Sequence, residues 1–436
     1  MKRSALSPWQ VYQQIYSSHQ VSFFLDSITY QKPNQQYSLI GWDPEDELAL
    51  YEKDLNPAGL KRLRKFVDKK GFVFGYLGYE SASLFDKVSF RSKKSLGYPV
   101  VYLGRFKNLL RYDHKLNKWT TGSRPTNDLD PYFCRDDNRN FKVKYFKAET
   151  AKKDFLTKVV RAKKYIEAGD IYQANLSQKF IFKYQGSPLA IYERLRSINP
   201  SPFSSYMKIR GLEVASSSPE RLVQKRGRFC ETRPIAGTCP KSLNEKTLKA
   251  WRDKLLGSSK ERAEHLMLVD LERNDLGRVC DFRSVKVKEF MTLEKYSHVV
   301  HLVSSVVGKL RKDKDGLQLL AAMFPGGTIT GCPKIRCMEI IDQLEPSRRG
   351  LYTGSIGYIA SNGDMDWNIV IRTLVFNQGV GSFQVGAGIV HDSDPEKEYL
   401  ETLAKGEAMM QAIAEGSVPE WGLIPMVSEK FLLAKK

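Results

Sequence analysis

The chain has 436 residues, is 42% hydrophobic and 27% charged, and carries a formal net charge of +20. That balance suits a globular protein with one large core or two smaller ones, and no stretch reaches the apolar length that spans a bilayer. The basic residues are spread along the whole chain, with no basic tail, zinc finger or RNP-type aromatic strand, so the charge favours anionic small molecules over nucleic acid.

The opening run, MKRSALSPWQVYQQ, has basic residues but no apolar run behind them and does not read as a secretory signal. The six cysteines, Cys134, Cys230, Cys239, Cys280, Cys332 and Cys337, form no C-x-x-C pair and read as reduced thiols of a cytoplasmic protein. Short strand-like runs come first: Val21–Asp26 (VSFFLD), 37–41 (YSLIG) and 72–79 (FVFGYLGY). The polar, turn-rich stretch 120–140 predicts a linker or surface loop. The organisation expected is an N-terminal region over 1–120, a linker over 121–145, a catalytic domain over 146–415 and a peripheral tail over 416–436.

Phe155, Val159, Ala162 and Ile166 then recur at helical spacing, with Gly169 as a stop. The run 171–182 (IYQANLSQKFIF) predicts a strand, as do 353–360, 369–377 and 382–385. Tyr296 to Ser304 is strand-like or a short helix. The last helix runs from Asp394 past Ala412, with Asp394 as cap, Pro395 in the first turn and Glu396 at the positive end of the dipole. The pattern predicts a mixed α/β (α+β) chain with a large antiparallel-rich sheet.

Chemistry concentrates in a few runs. Glu398, Glu401 and Lys405 fall on one face of the last helix, and carboxylates one turn apart can hold Mg²⁺ through oxygen ligands. A solvated charged face is the alternative. The run VGAG at 385–388 is small enough for backbone amides to approach an anion. A second helix over 264–278 crowds acids among leucines, with Glu264 at its edge as the better metal candidate. His298 and His301 make no zinc site by themselves, but His301 could move protons if it faces the acids. SSSPE places Glu220 after a strand, while RPIAGT and FPGGTITGCPK are glycine-containing turns without P-loop spacing. These residues alone indicate an α/β enzyme with a divalent-metal, anion-binding site.

At these runs the chain resembles the chorismate-utilising enzymes, which include anthranilate, aminodeoxychorismate, isochorismate and salicylate synthases. IYQANLSQ, SSSPE, RPIAGT, EHLMLVDLERNDLGR, YSHVVHLVS, FPGGTITGCPK, LYTGSIGY, NIVIRT, VGAGIV and EKEYLETLAK occur in the family's order over about 150–415. The resemblance implies two facing, mostly antiparallel β-sheets with helices outside. It implies that Glu264 and Glu401, with Glu398 beside them, bind Mg²⁺, which holds the ring carboxylate of chorismate. Arg372, Tyr352 and the backbone of Gly386, Ala387 and Gly388 would hold the enolpyruvyl carboxylate, Lys405 would add positive charge, and Thr330 would contact substrate. Glu220 would be the general acid for loss of the C4 hydroxyl, and His301 would assist proton transfer.

Gln173 stands where isochorismate and salicylate synthases carry a water-activating lysine. An amide is no general base near neutral pH, so ammonia addition is favoured. Ala236 stands where many aminodeoxychorismate synthases carry a lysine nucleophile, a departure that resembles anthranilate synthase. FLDS at 24–27 and NPSPFSSY at 199–206 instead resemble the aminodeoxychorismate synthases. In anthranilate synthases those two runs belong to the tryptophan feedback site, so the resemblance implies no tryptophan inhibition. No G-x-C-x-G nucleophile segment is present, so ammonia is expected from a separate glutamine amidotransferase subunit, in a possible heterodimer.

Overall fold

The computed structural model describes residues 6–27, 37–91, 93–121, 141–240, 259–295 and 299–414, with scattered positions between 246 and 257. The 122–140 loop, His298 and the tail after 414 lie outside the described residues. Two large antiparallel sheets form the body, one of 11 strands and one of 10 among the described residues. In the larger, the strand Gln173–Gln185 pairs with Val380–Ile389, and the order continues through Thr373–Asn377, Leu212–Ser218 and Phe203–Ile209 to Val21–Asp26. The smaller includes Ile235–Pro240, Val299–Lys309, Arg221–Arg226, Ser355–Ile359 and Phe72–Leu77. Strands from before and after residue 146 therefore share both sheets.

The sheets face each other across an apolar layer to which both contribute. Phe23, Met207 and Val214 come from one side, and Phe74, Phe106 and Ile356 from the other. Phe23 and Phe74 stack with ring centroids 3.9 Å apart. Burial of each such side chain contributes about 1.5–3 kcal/mol. Helices cover the outer faces. Pro8–Ser18, Lys152–Glu167, Pro188–Ile198, Lys334–Leu344 and Pro395–Ile413 pack on the larger sheet. Pro57–Val67, Ser259–Gly277 and Gly316–Met323 pack on the smaller. The fold expected from the sequence, two facing sheets with outer helices, is the one observed.

Helix boundaries follow local chemistry. Ser7 and Gln10 close a capping box before Pro8. Asp394 accepts the Lys397 N–H at 2.9 Å, and Pro395 follows where no N–H is needed. Strand edges differ from expectation in instructive ways. The 369–377 run is strand only over Thr373–Asn377, because Arg372 takes φ 52° and breaks the extended path. The strand expected at 382–385 runs longer, over Val380–Ile389, and takes in the glycine-rich 385–388 run. The end of the expected linker is also ordered: Lys142–Ala148 is a strand paired with Gln173–Gln185. Among the described residues no helix is long and apolar enough to cross a membrane.

Candidate active site

Glu220 sits on the short link between the strands Leu212–Ser218 and Arg221–Arg226, one from each sheet. Its carbonyl accepts the Ile369 N–H at 3.0 Å, which fixes the turn. Its carboxyl is buried, and burial pushes its pKa up to about 7. The Ile235 N–H, Arg372 and Lys405 pull the other way without winning. The Thr328 hydroxyl faces the same carboxyl, at too poor a geometry to close a hydrogen bond. Near neutral pH Glu220 therefore keeps a large share of its proton, as a general acid must.

Arg372 lies opposite. Its carbonyl accepts the Ser217 N–H at 3.1 Å, so the left-handed turn is tied to the strand leading to Glu220. The strain of a non-glycine residue in that region is about 1–3 kcal/mol. The guanidinium is half-buried and has no hydrogen bond or ion pair among the described residues. Burial works against its charge, and Glu220 supports it. An arginine so placed is fitted to an incoming carboxylate.

The strand Val380–Ile389 supplies the floor. A side chain at Gly386 would come within 2.6 Å of the Tyr352 hydroxyl and 2.5 Å of Asn175 Oδ1. One at Gly388 would lie 2.4 Å from Gln173 Nε2. The glycines thus let Tyr352, Asn175 and Gln173 close over the backbone, with Ala387 fully buried between them. Asn175 Oδ1 and Gln173 Oε1 are buried acceptors without a hydrogen-bond partner, which suits a site completed by a ligand. Burial raises the Tyr352 pKa, so its hydroxyl remains a donor. Lys405 reaches in from the last helix, its Nζ 3.0 Å from the Gly386 carbonyl and 2.8 Å from Glu401.

A buried ion pair holds these pieces in register. Arg349 donates to both oxygens of Glu345, at 2.9 and 2.7 Å. It also reaches the carbonyls of Asn175 at 2.6 Å and Ile329 at 3.2 Å. Glu345 in turn accepts the Ser177 N–H at 2.9 Å. The segments carrying Asn175, Thr330 and Tyr352 thus meet on one fork.

Of the expected metal ligands, Glu398 feels the other two. Its carboxyl is pushed up to about 7, first by burial and then also by the charges of Glu401 and Glu264. Glu264 comes from the helix Ser259–Gly277 and the other two from Pro395–Ile413, so carboxylates from two helices distant in sequence lie within electrostatic range of one another. Clustered carboxylates fit a hard divalent cation that would neutralise them. As they stand, no three acidic, histidine or cysteine side chains among the described residues are close enough to chelate an ion. Glu401 is turned toward Lys405 instead.

The remaining expected residues fall near this centre or on its walls. His301 is buried on Val299–Lys309, two residues from Val303, which pairs with Ile235 beside Glu220. Ala236 sits at an irregularity in the Ile235–Pro240 strand, between the Ile235 and Gly237 pairings. Thr330 is fully buried and its hydroxyl donates to the Gly326 carbonyl at 2.9 Å. Thr328, not singled out from the sequence, is the hydroxyl turned toward Glu220. Asn175 was also not singled out. Its signal was adjacency to Gln173 at strand spacing, which puts both on one face.

The chorismate binding enzyme family matches residues 25–411. This chain belongs to that family. The anthranilate synthase component I-like protein of Synechocystis sp. is 40% identical over 93% of this chain and 89% of its own. Aminodeoxychorismate synthase component 1 of Bacillus subtilis is 41% identical over 80% of this chain and 78% of its own. The crystal structure of anthranilate synthase component I from Streptococcus pneumoniae superposes with a TM-score of 0.77 at 31% identity, covering 86% of this chain and 92% of that one. This chorismate-binding enzyme therefore shares its fold with an anthranilate synthase component I and much of its sequence with proteins of both names.

Proposed function

We propose that this chorismate-binding enzyme is the component I of an aminodeoxychorismate synthase. It aminates chorismate to 4-amino-4-deoxychorismate, for p-aminobenzoate and folate synthesis, with ammonia from a separate glutamine-hydrolysing subunit. The observation that carries this reading is the buried Glu220 acid set beside the Arg372 guanidinium, which has no hydrogen bond or ion pair among the described residues. Chorismate is a dianion whose C4 hydroxyl is a poor leaving group. Arg372, Tyr352 and the 386–388 backbone would take the enolpyruvyl carboxylate. Glu220 would give its proton to the C4 hydroxyl as the C–O bond breaks, so that water leaves. Bound at Glu264, Glu398 and Glu401, Mg²⁺ would hold the ring carboxylate and stabilise developing negative charge. Gln173 has no basicity to activate water, which favours ammonia as nucleophile.

FLDS at 24–27 and NPSPFSSY at 199–206 favour this member of the family. Asp26 of the first run is buried and accepts from Arg196 Nε at 2.7 Å, so its carboxylate is committed to structure. Anthranilate synthase is the second reading. It is favoured by Ala236 and by relatives of that name, such as that of Methanothermobacter marburgensis at 38% identity over 93% of this chain. Incubation with chorismate, Mg²⁺ and ammonium, with and without aminodeoxychorismate lyase, separates the two. p-Aminobenzoate that forms only with lyase is expected. Anthranilate without lyase, or inhibition by tryptophan, would establish the second reading, and no ammonia-dependent product would overturn both.

A further inference from the structure

The corner Arg349–Gly350 leads into Tyr352 and is held by residues far away in the chain. Glu80 lies just after the strand Phe72–Leu77, on the short 3₁₀ helix Tyr79–Leu84, and is 2% exposed. Its Oε1 accepts the Arg349 N–H at 2.8 Å and its Oε2 the Gly350 N–H at 3.0 Å. Successive N–H groups beside a left-handed residue form a concavity that takes an anion, and Gly350 has φ 60°. A side chain on Gly350 would also come within 2.4 Å of the Tyr98 hydroxyl, so the corner requires glycine. The Gly350 carbonyl in turn accepts the Tyr79 N–H at 2.7 Å. Burial raises the pKa of the Glu80 carboxyl, while the Arg349 N–H and the charges of Arg348 and Lys179 oppose the rise.

Side chains continue the link. The Arg349 guanidinium carbon lies 4.8 Å from the centroid of the Tyr79 ring and 5.5 Å from that of Tyr352, so one cation bridges the two rings. The Tyr352 N–H donates to the Arg349 carbonyl at 3.2 Å, which ties Tyr352 to the same corner. Tyr79 and Glu80 therefore reach Tyr352 by two routes, the main-chain corner and the guanidinium. The Tyr352 hydroxyl is the group that closes over the backbone at Gly386. Neither Tyr79 nor Glu80 falls in the stretch after residue 150 that carries the site residues expected from the sequence.

We propose that Tyr79 and Glu80 are positioning residues for chorismate: they set the Tyr352 hydroxyl, and with it the grip on the enolpyruvyl carboxylate, without touching the substrate. This rests on the reading of Tyr352 as a substrate ligand given above. The test titrates chorismate into the full chain with Mg²⁺ present and ammonia absent. The variants are Tyr352→Phe, Glu80→Gln and Tyr79→Leu, each of the last two also combined with Tyr352→Phe. Glu80→Gln keeps the shape but turns an NH₂ toward one of the two N–H groups. Each single variant should raise the Kd for chorismate about tenfold. Each double variant should bind no more weakly than Tyr352→Phe alone, which marks action through Tyr352, whereas a general loosening of the fold would add to its effect. Tyr79→Phe keeps the ring and removes a hydroxyl that has no hydrogen-bond partner, so it should recover most of the affinity lost in Tyr79→Leu. Additive losses in the double variants, or wild-type affinity in both Glu80→Gln and Tyr79→Leu, overturn the proposal. The Tyr79 cycle leaves the hydrogen bonds of Glu80 in place and decides the matter by itself if Glu80→Gln does not fold. Wild-type affinity in Tyr352→Phe overturns instead the reading of Tyr352 as a ligand, and the proposal with it.

Discussion

Replacing Glu220 with Gln removes the buried acid while keeping its shape, and the structure gives the sign of two effects. The folded Glu220 carboxyl has its pKa pushed up to about 7 from an ordinary value of 4.5. The folded state thus holds this proton more tightly than the unfolded chain. The group's contribution to stability is undiminished below the unfolded value and is lost as pH rises toward 7. The loss amounts to something on the order of 3 kcal/mol once pH exceeds 7. Glu220→Gln does not suffer it. Urea denaturation should find the variant close to wild type at pH 4 and more stable by roughly that amount at pH 8, a trade of stability for function. Turnover should move the opposite way, falling about 10²–10⁴-fold with chorismate binding retained. In the wild type, turnover per neutral ammonia should decline as pH passes 7. Equal stability differences at pH 4 and pH 8, or a variant that turns over normally, would refute the assignment of Glu220 as a buried acid.

Arg349→Met strands Glu345 as a buried charge and frees the segments it ties, so a loss of about 3–5 kcal/mol is expected in the same denaturation assay. A loss under 1 kcal/mol would show that the fork does not organise the site. Gly386→Ala drives a methyl against Tyr352 and Asn175. Its cost should be about 1–3 kcal/mol in stability, with a marked rise in KM for chorismate. An unchanged KM would remove the 386–388 backbone from the binding surface.

How much of this was legible beforehand differs from feature to feature. The last helix was legible because its cap, proline and acids are neighbours in sequence. The facing sheets followed from the resemblance, since alternation alone does not tell which strands pair. Two features escaped for opposite physical reasons. The strand Lys142–Ala148 puts three lysines on an exposed edge, and such polarity reads as loop although it is how edges are protected. The 369–377 run looks wholly extended, yet Arg372 bends it, and nothing in its composition marks the bend. Thr328 went unmarked because nothing in the composition of its turn tells which hydroxyl faces Glu220. That Glu264 lies within electrostatic range of Glu398 is a long-range fact that spacing could not supply.

The measurement that bears most directly on the account is calorimetric titration of Mg²⁺ into the chain, with and without chorismate, for wild type and for Glu264→Gln and Glu401→Gln. If carboxylates from both helices share one ion that grips the substrate, chorismate and Mg²⁺ must each strengthen the other's binding by the same factor. Either substitution should then weaken Mg²⁺ by about tenfold or more and abolish the mutual effect. Mg²⁺ binding that ignores chorismate, or that survives loss of either glutamate, would contradict it.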